Sequence, residues 1–336
     1  MLDYLYRPEV VRVALVFGVV VSVLFYERMQ LTTGGAVVPA YLALSLPAPL
    51  HVLSTLLAGF LAYVVVNRVL ARRYIVYGRR KFELEVLVGL AFVAVFATIA
   101  SQIDSLDTQL GGVAAIGFLV PGVLAHDMSR QRPGRTVLAV LATTGIIASF
   151  VFLYSSLLAI SPARVPAGPG VASLTGYPPE LLLPAAASSI LVGMLVYAKA
   201  GLRSGGFISA TYLALVAPRW GDLLFTLVAA GLTWVLVVKL LMPRLLVFGR
   251  RKLSTMVLVG AIVAWSCEVA VTFATDGSYI PWRGITVMAL IVPALVANDA
   301  QRQGWERTLW GAALTTVGVY AAVHLVAAVA RATGLL

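Results

Sequence analysis

The stretch YIVYGRRKFELEVLVG occupies Tyr74–Gly89 and returns as LLVFGRRKLSTMVLVG at Leu245–Gly260. The glycines that open the two GRRK motifs, Gly78 and Gly249, are 171 residues apart. A sixteen-residue match at such a distance is a strong sign that the chain contains an internal repeat. The fold of one half therefore predicts the fold of the other.

Two further blocks recur at nearly the same distance. TTGGAVVPAYLAL at Thr32–Leu44 returns as RSGGFISATYLAL at Arg203–Leu215. FLVPGVLAHDMSRQ at Phe118–Gln131 returns as LIVPALVANDAQRQ at Leu290–Gln303. Three blocks in one order indicate a tandem duplication, and we expect repeats at residues 1–165 and 176–336.

The composition places both repeats in a membrane. Hydrophobic residues make up 60% of the chain, charged residues only 12%, and the mean hydropathy is +0.95. Apolar runs long enough to cross a bilayer include Val52–Leu70, Val86–Ser101 and Val137–Ile160. Because lipid offers no hydrogen bonds to the backbone, these runs must be helices. The sequence predicts an all-α polytopic membrane protein.

Each repeat offers six helical segments, four long and two short. In the first repeat the short ones are Gly34–Ser45 and Gly111–Ala125, and both contain a proline. If every segment crosses, 19 of the 25 basic residues lie on one side and six on the other. If the short segments re-enter, the division is 15 against 10. The positive-inside rule favours the first case, which predicts about twelve crossings with both termini outside.

Several classes of function lack support. The net charge of +11 needs no nucleic acid, because the basic residues lie in loops that set orientation and contact anionic lipid. There is no GxxxxGK[ST] phosphate loop, and His51, His126 and His324 show no metal-binding spacing. No nucleophile has a recognisable base. We assign no catalytic residue, cofactor or metal, and we expect that the chain is not itself an enzyme.

The GRRK motifs are candidate contact residues at the membrane edge. Arginine there can reach headgroups, bind a partner's carboxylates or hold an anionic polymer, although setting orientation could be its sole role. Glu83 and Glu85 are expected to pair with nearby arginines. The candidate set is Arg79, Arg80, Lys81, Arg250, Arg251 and Lys252, extended by Arg130 and Arg302.

The prolines of the short segments are candidate helix breaks. Proline removes an amide donor and displaces the carbonyl four residues earlier, so Pro39 would free the carbonyl of Gly35 and Pro121 that of Gly117. Freed carbonyls can line a substrate path, or the kinks can simply shape helix packing. The candidates for a conduit are Gly35, Pro39, Tyr41, Gly117, Pro121 and Pro293.

The ordered segments ERMQLTTGGAVVPAYLAL, VYGRRKFELEVLVG and FLVPGVLAHDMSRQ resemble the PgsC/CapC family, the small membrane subunit of bacterial poly-γ-glutamate synthase. Each half is similar to one whole family member. Three departures distinguish the halves: Glu27 becomes Ala198, Pro39 becomes Ala210, and Gly122 becomes Ala294.

The resemblance implies a multi-pass subunit in the bacterial plasma (inner) membrane, working in capsule synthesis. Its partners would be a cytoplasmic ATP-dependent amide ligase, which performs the chemistry, and the anionic polymer, with the lipid bilayer around it. The basic motifs would then contact ligase or polymer, and the proline breaks would line a conduit. A stand-alone transporter of small acidic metabolites is the alternative, because Glu268 lies within a span whose first-repeat counterpart is Ala97.

Overall fold

The computed structural model describes residues 8–35, 37–47, 49–75, 77–101, 119–159, 181–245, 249–282 and 286–333. Within these residues the regular structure is helical and contains no strand. Eight helices are long and apolar enough to cross a membrane. The prediction of an all-α polytopic membrane protein is confirmed.

The chain divides into two compact units, Met1–Ala163 and Arg164–Leu336. The helices of the first unit are α1 (Pro8–Met29), α2 (Val38–Leu44), α3 (Pro49–Val64), α4 (Gly78–Ser101), α5 (Val120–Gln131) and α6 (Pro133–Ala159). Beyond α3 the helix continues through a π-helical segment, Val65–Leu70, and ends with the turn Ala71–Arg73. The repeat boundaries predicted at 165 and 176 lie outside the described residues.

The second unit has the same order of elements. Its helices are α7 (Leu182–Ala200), α8 (Gly206–Val216), α9 (Trp220–Trp234), α10 (Gly249–Ala274), α11 (Thr286–Gln303) and α12 (Trp305–Ala332). A π-helical segment, Val235–Leu241, again follows the third helix and leads into Met242–Leu245. Because π-helical segments are rare, their recurrence at one place in both units shows that the two repeats share local geometry as well as helix order.

The short helix α2 carries the chain back along α1. Ala40 lies against Gly18, where an added Cβ would meet the Ala40 side chain at 2.7 Å. Leu44, at the end of α2, clusters with Val10 near the beginning of α1. A helix of seven residues is only about 10 Å long, so α2 covers only part of the length of α1.

Glycines allow two helices of the first unit to meet backbone to backbone. A Cβ added at Gly122 in α5 would lie 2.2 Å from the Cα of Val86 in α4. One added at Gly89 would lie 2.7 Å from the amide nitrogen of Gly122. In the second unit Gly260 faces Ala294 instead. Small residues at helix crossings give membrane bundles their close packing, and here they bring the polar residues of α4 and α5 together.

Two prolines mark where short helices begin. Pro39 and Pro121 lie in the first turns of α2 and α5. Proline is well tolerated there, because the amides of a first turn have no partner within the helix. The carbonyl of Gly35, which Pro39 is predicted to free, accepts a hydrogen bond from the Thr33 hydroxyl at 3.2 Å, and its place in a conduit stays a prediction.

Candidate functional site

The GRRK motif forms the first turn of the fourth helix of each repeat, α4 or α10. Gly78 and Gly249 have φ angles of +62° and +61°, a conformation that favours glycine. The cations that follow lie at the positive end of the helix dipole, where positive charge weakens a helix. Helix stability therefore does not explain these residues, and a role toward lipid or a partner does. We call this end of each repeat, with the end of α5 or α11 beside it, the basic edge.

Carboxylates neutralise much of the basic edge in the first repeat. Arg79 Nε lies 2.6 Å from Glu83 Oε1, and Lys81 Nζ lies 3.9 Å from Glu85 Oε1. Each acid comes four residues after its cation, the spacing at which helix side chains meet. The predicted pairing of Glu83 with an arginine is confirmed.

Glu85 is the centre of a buried polar cluster, and the expectation that it pairs with an arginine is wrong. Its side chain is fully buried, and its Oε2 lies 2.7 Å from Nδ1 of His126 in α5. Asn67, in the π-helical segment after α3, donates to Oε1 at 3.1 Å. The ring of Phe82 meets the His126 ring edge-on at 4.9 Å. Hydrogen bonds from two other helices thus compensate the burial of this acid.

The basic edge buries an acid, Glu85, in the first repeat and a lysine, Lys252, in the second. Lys252, the equivalent of Lys81, is only 9% exposed and donates to Oε1 of Gln301. The positions equivalent to Glu83 and Glu85 are Ser254 and Met256. The i+4 acids that neutralise the first repeat are therefore absent from the second.

The other predicted basic residues lie at the surface of the two edges. Arg80 and Arg130 are exposed in the first repeat, and Arg251 and Arg302 in the second. The side chain of Arg250 lies outside the described part of the chain. Guanidinium groups bind carboxylates in a two-pronged geometry.

A glutamine ties each basic edge to the chain that follows the first helix. Gln131 Oε1 accepts from the amide of Thr32 at 2.7 Å, and its Nε2 donates to the carbonyl of the same residue. Gln303 makes the same pair of bonds with Arg203, at 3.0 and 2.8 Å. Each glutamine joins positions about a hundred residues apart in sequence, so it fixes the geometry of the edge.

An aspartate makes a second tie one turn earlier. Asp127 Oδ2 accepts from the amide of Gly34 at 2.9 Å, and Asp299 Oδ2 accepts from Gly205 at 3.1 Å. Both glycines have positive φ angles, 76° and 80°, so the turn that presents the amide to the carboxylate favours glycine. A charged acceptor makes this a strong bond, and both aspartates are buried.

Four of the conduit candidates, Pro39, Tyr41, Pro121 and Pro293, are buried, whereas Gly35 is exposed and follows the Gly34 that bonds Asp127. Tyr41 is 1% exposed and packs with Leu124 of α5, and its hydroxyl lies 3.0 Å from Nε2 of His51. Pro293 lies inside α11 as the sequence predicted. Gly117 lies outside the described residues. A path for polymer past these residues stays a prediction.

The match to known proteins covers both basic edges. A family model described as capsule biosynthesis CapC matches residues 17–137 and again residues 188–309. The two matches together span more than half of the chain. This chain belongs to the CapC family. Each matched region contains one GRRK motif and one aspartate–glutamine pair, so the chain consists of two CapC repeats in tandem.

Two curated relatives have about the length of one CapC repeat. The chain is 32% identical over 142 residues to "PGA biosynthesis protein CapC" of Bacillus subtilis (strain 168) and to "Capsule biosynthesis protein CapC" of Bacillus anthracis. Each match covers 42% of this chain and 93% of the relative. No solved structure matches the chain.

Sequence reasoning missed the ties that shape each CapC repeat. Neither these aspartates nor these glutamines were among the candidate residues taken from the sequence. The available signal was the identity of Asp127 with Asp299 and of Gln131 with Gln303 in the two halves. The Glu85 cluster was missed because its members are far apart in sequence and occur in one repeat only.

The opposite end of the second CapC repeat carries another buried acid. Asp222 at the beginning of α9 accepts from the Tyr279 hydroxyl at 2.6 Å and from the Trp282 amide at 3.1 Å. Arg219 Nε lies 3.2 Å from its other oxygen. Burial, and then the hydrogen bond to this carboxylate, raise the pKa of Tyr279 above its ordinary value. These contacts hold the segment between α10 and α11 against α9.

Proposed function

We propose that this chain is a non-catalytic membrane subunit of a poly-γ-glutamate-type synthase, located in the bacterial plasma membrane. It anchors a cytoplasmic ATP-dependent amide ligase and passes the polyanionic product across the membrane. The observation that carries the proposal is the basic edge, which occurs twice and is held each time by the same two ties. Membership of the CapC family, and relatives named for PGA and capsule biosynthesis, support it.

Contact with the ligase is assigned to the exposed arginines of the basic edge. Arg80 and Arg251 project from first turns where their charge opposes the helix dipole. Orientation in the membrane needs only an excess of positive charge, which scattered residues would also provide. A repeated cluster on a fixed backbone is better matched to a partner surface that bears carboxylates.

Charge reversal at this edge tests the anchoring role. In the double variant Arg80→Glu/Arg251→Glu, the ligase is expected to be lost from a mild-detergent pull-down of the tagged chain. Arg331→Glu is the matched control, because Arg331 is also exposed but lies in the last turn of α12, at the opposite end of that helix from the basic edge. Retention of the ligase by the double variant, at wild-type yield, would contradict the proposal.

Conduction of the polymer is assigned to the proline-containing segments. Pro293→Ala restores an amide inside α11 and allows a regular helix, so exported polymer is expected to fall while polymer inside the cell remains. Pro39→Ala, in the other conduit segment, is expected to lower export less, since α8 forms with Ala210 at the equivalent position. Equal export by the Pro293 variant and wild type would remove this part of the proposal.

A transporter of small acidic metabolites is the second candidate, favoured by Glu268. This acid is 5% exposed within the membrane-spanning part of α10. Intramembrane acids commonly serve ion or substrate pathways. Purified protein in liposomes would then take up acidic substrates along an imposed ion gradient, and Glu268→Gln would reduce the rate. Absence of uptake across a substrate panel would eliminate this candidate.

A further inference from the structure

The buried ammonium of Lys252 has a neutral partner where a charged one is usual. Its Nζ donates to Gln301, and the ion pairs between described residues do not include it. Burying an ammonium without a counter-charge carries a large desolvation penalty. An anion that reaches Lys252 would remove much of that penalty.

The residues around Lys252 carry more positive than negative charge. Arg302 directly follows the Gln301 that Lys252 contacts, and Gln303 bonds the backbone of Arg203. Asp299 lies on the same helix, and its Oδ2 accepts from the amide of Gly205. Three cations therefore share this edge with one carboxylate, and one oxygen of that carboxylate is engaged in holding the backbone. We call Lys252, Gln301, Arg302 and Arg203 the Lys252 cluster.

The first repeat has the same scaffold but not the same charge. Lys81 has a side chain that is 26% exposed and lies near Glu85, and Thr32 stands where the second repeat has Arg203. The helices around both positions follow the same order and have the same ties. Helix packing therefore does not require the cationic cluster, because the first repeat forms without it.

We propose that the Lys252 cluster binds carboxylates of a γ-linked glutamate chain, and that the first repeat does not. The ligand is a polycarboxylate because the cluster combines an ammonium with two guanidinium groups that can hold successive carboxylates. This inference rests on the proposed function and names which repeat holds the polymer.

The test compares matched residues of the two repeats. The full chain is purified, placed in nanodiscs of zwitterionic lipid, and titrated into a fluorescently labelled γ-linked glutamate oligomer while anisotropy is recorded. Lys252→Met is expected to weaken binding by about 10-fold, and Lys81→Met by less than about 2-fold. Equal losses in the two variants, or no loss in Lys252→Met, would overturn the proposal.

A second pair of variants protects the test against misfolding. Arg302 and Arg130 are equivalent and exposed, so Arg302→Gln and Arg130→Gln leave the interior unchanged. Arg302→Gln is expected to weaken oligomer binding by about 5-fold, and Arg130→Gln to leave it nearly unchanged. If neither variant of this pair differs from wild type, the cluster is not the polymer site.

Anionic lipid is the competing source of negative charge. The titration is repeated in discs that contain phosphatidylglycerol, and binding of the oligomer is expected to persist. If the oligomer no longer binds in these discs, the Lys252 cluster binds lipid phosphate instead, and the proposal is overturned. Because the titration contains no ligase, its outcome is independent of whether Arg80 and Arg251 anchor one.

Discussion

The two basic edges share the same ties to the backbone but differ in how far carboxylates neutralise their cations. In the first repeat Glu83 and Glu85 neutralise Arg79 and Lys81, whereas in the second the matching positions hold Ser254 and Met256. The aspartate and glutamine ties occur in both. The ties therefore belong to the fold of a CapC repeat, while the charge between them has diverged.

The opposite ends of the repeats differ in a similar way. Tyr41 and His51 share one hydrogen bond in the first repeat. In the second, the position equivalent to His51 is Asp222, which holds Tyr279 and the following segment. One scaffold thus accepts a neutral pair or an ion-paired network at the same place, which suggests that duplication allowed each copy to acquire its own polar contacts.

The crossing of α4 and α5 is where the repeats should differ most under mutation. Gly122→Leu is expected to abolish folding, because even a Cβ would lie 2.2 Å from the backbone of Val86. Ala294→Gly, at the equivalent place, removes one methyl group and should cost only about 1 kcal/mol. Yield of monodisperse protein, followed by titration with a denaturing detergent, measures both. Folding of Gly122→Leu would show that the crossing is not rigid.

The Glu85 cluster gives the next largest effect. His126→Ala leaves the carboxylate of Glu85 buried with a partner missing, and the free energy of unfolding should fall by about 3 kcal/mol. Asn298→Ala, the matched change, should cost about 1 kcal/mol.

Exchanging the whole cluster sharpens this comparison. The triple variant Asn67→Val/Glu85→Met/His126→Asn installs the residues that occupy Val238, Met256 and Asn298 in the second repeat. Its stability should equal or exceed that of wild type, because replacing a complete buried polar cluster with apolar residues is often neutral or stabilising. A triple variant less stable than His126→Ala would contradict our account of the cluster.

The glutamine ties should behave alike in both repeats. Gln131→Ala and Gln303→Ala each remove two hydrogen bonds to the backbone of one residue, one accepted from its amide and one donated to its carbonyl. Each variant should lower the free energy of unfolding by about 2 kcal/mol. The same detergent titration measures both variants. A marked difference between them would show that one edge depends on other contacts.

Tyr279 gives the smallest effect and a pH dependence. Tyr279→Phe should cost about 1 kcal/mol at neutral pH, because Asp222 keeps its bonds to Trp282 and Arg219. The folded pKa of Tyr279 is raised, so its contribution is complete below the ordinary value near 10 and is lost as the pH rises above it. The unfolding midpoints of variant and wild type should therefore differ at pH 8 and converge at pH 11. A constant difference would contradict the role of this hydroxyl.

Much of the fold could be predicted because its signals are local. Long apolar runs predict helices in lipid whatever lies beside them, and matching blocks predict matching elements. Pro39 and Pro121 lie in the first turns of short helices, and the carbonyl of Gly35 accepts from the Thr33 hydroxyl, a partner that the sequence pattern did not identify.

The sequence predicted which cations lie at the basic edge, but it did not predict all of the residues that they contact. Arg79 and Glu83 are four residues apart, so helical spacing alone brings them together. Glu85 has the same spacing from Lys81, but its closest partner is His126, 41 residues further along the chain. Which of several nearby cations an acid meets depends on how α4 and α5 cross.

The sequence by itself determined that this is a membrane protein of two CapC repeats with basic edges, because hydropathy and internal repetition are properties of consecutive residues. The tertiary structure decided which charges are neutralised. The crossing at Gly122 brings His126 to Glu85, and the packing of α10 against α11 brings Lys252 to Gln301. Such contacts join positions far apart in the chain, so no local pattern contains them.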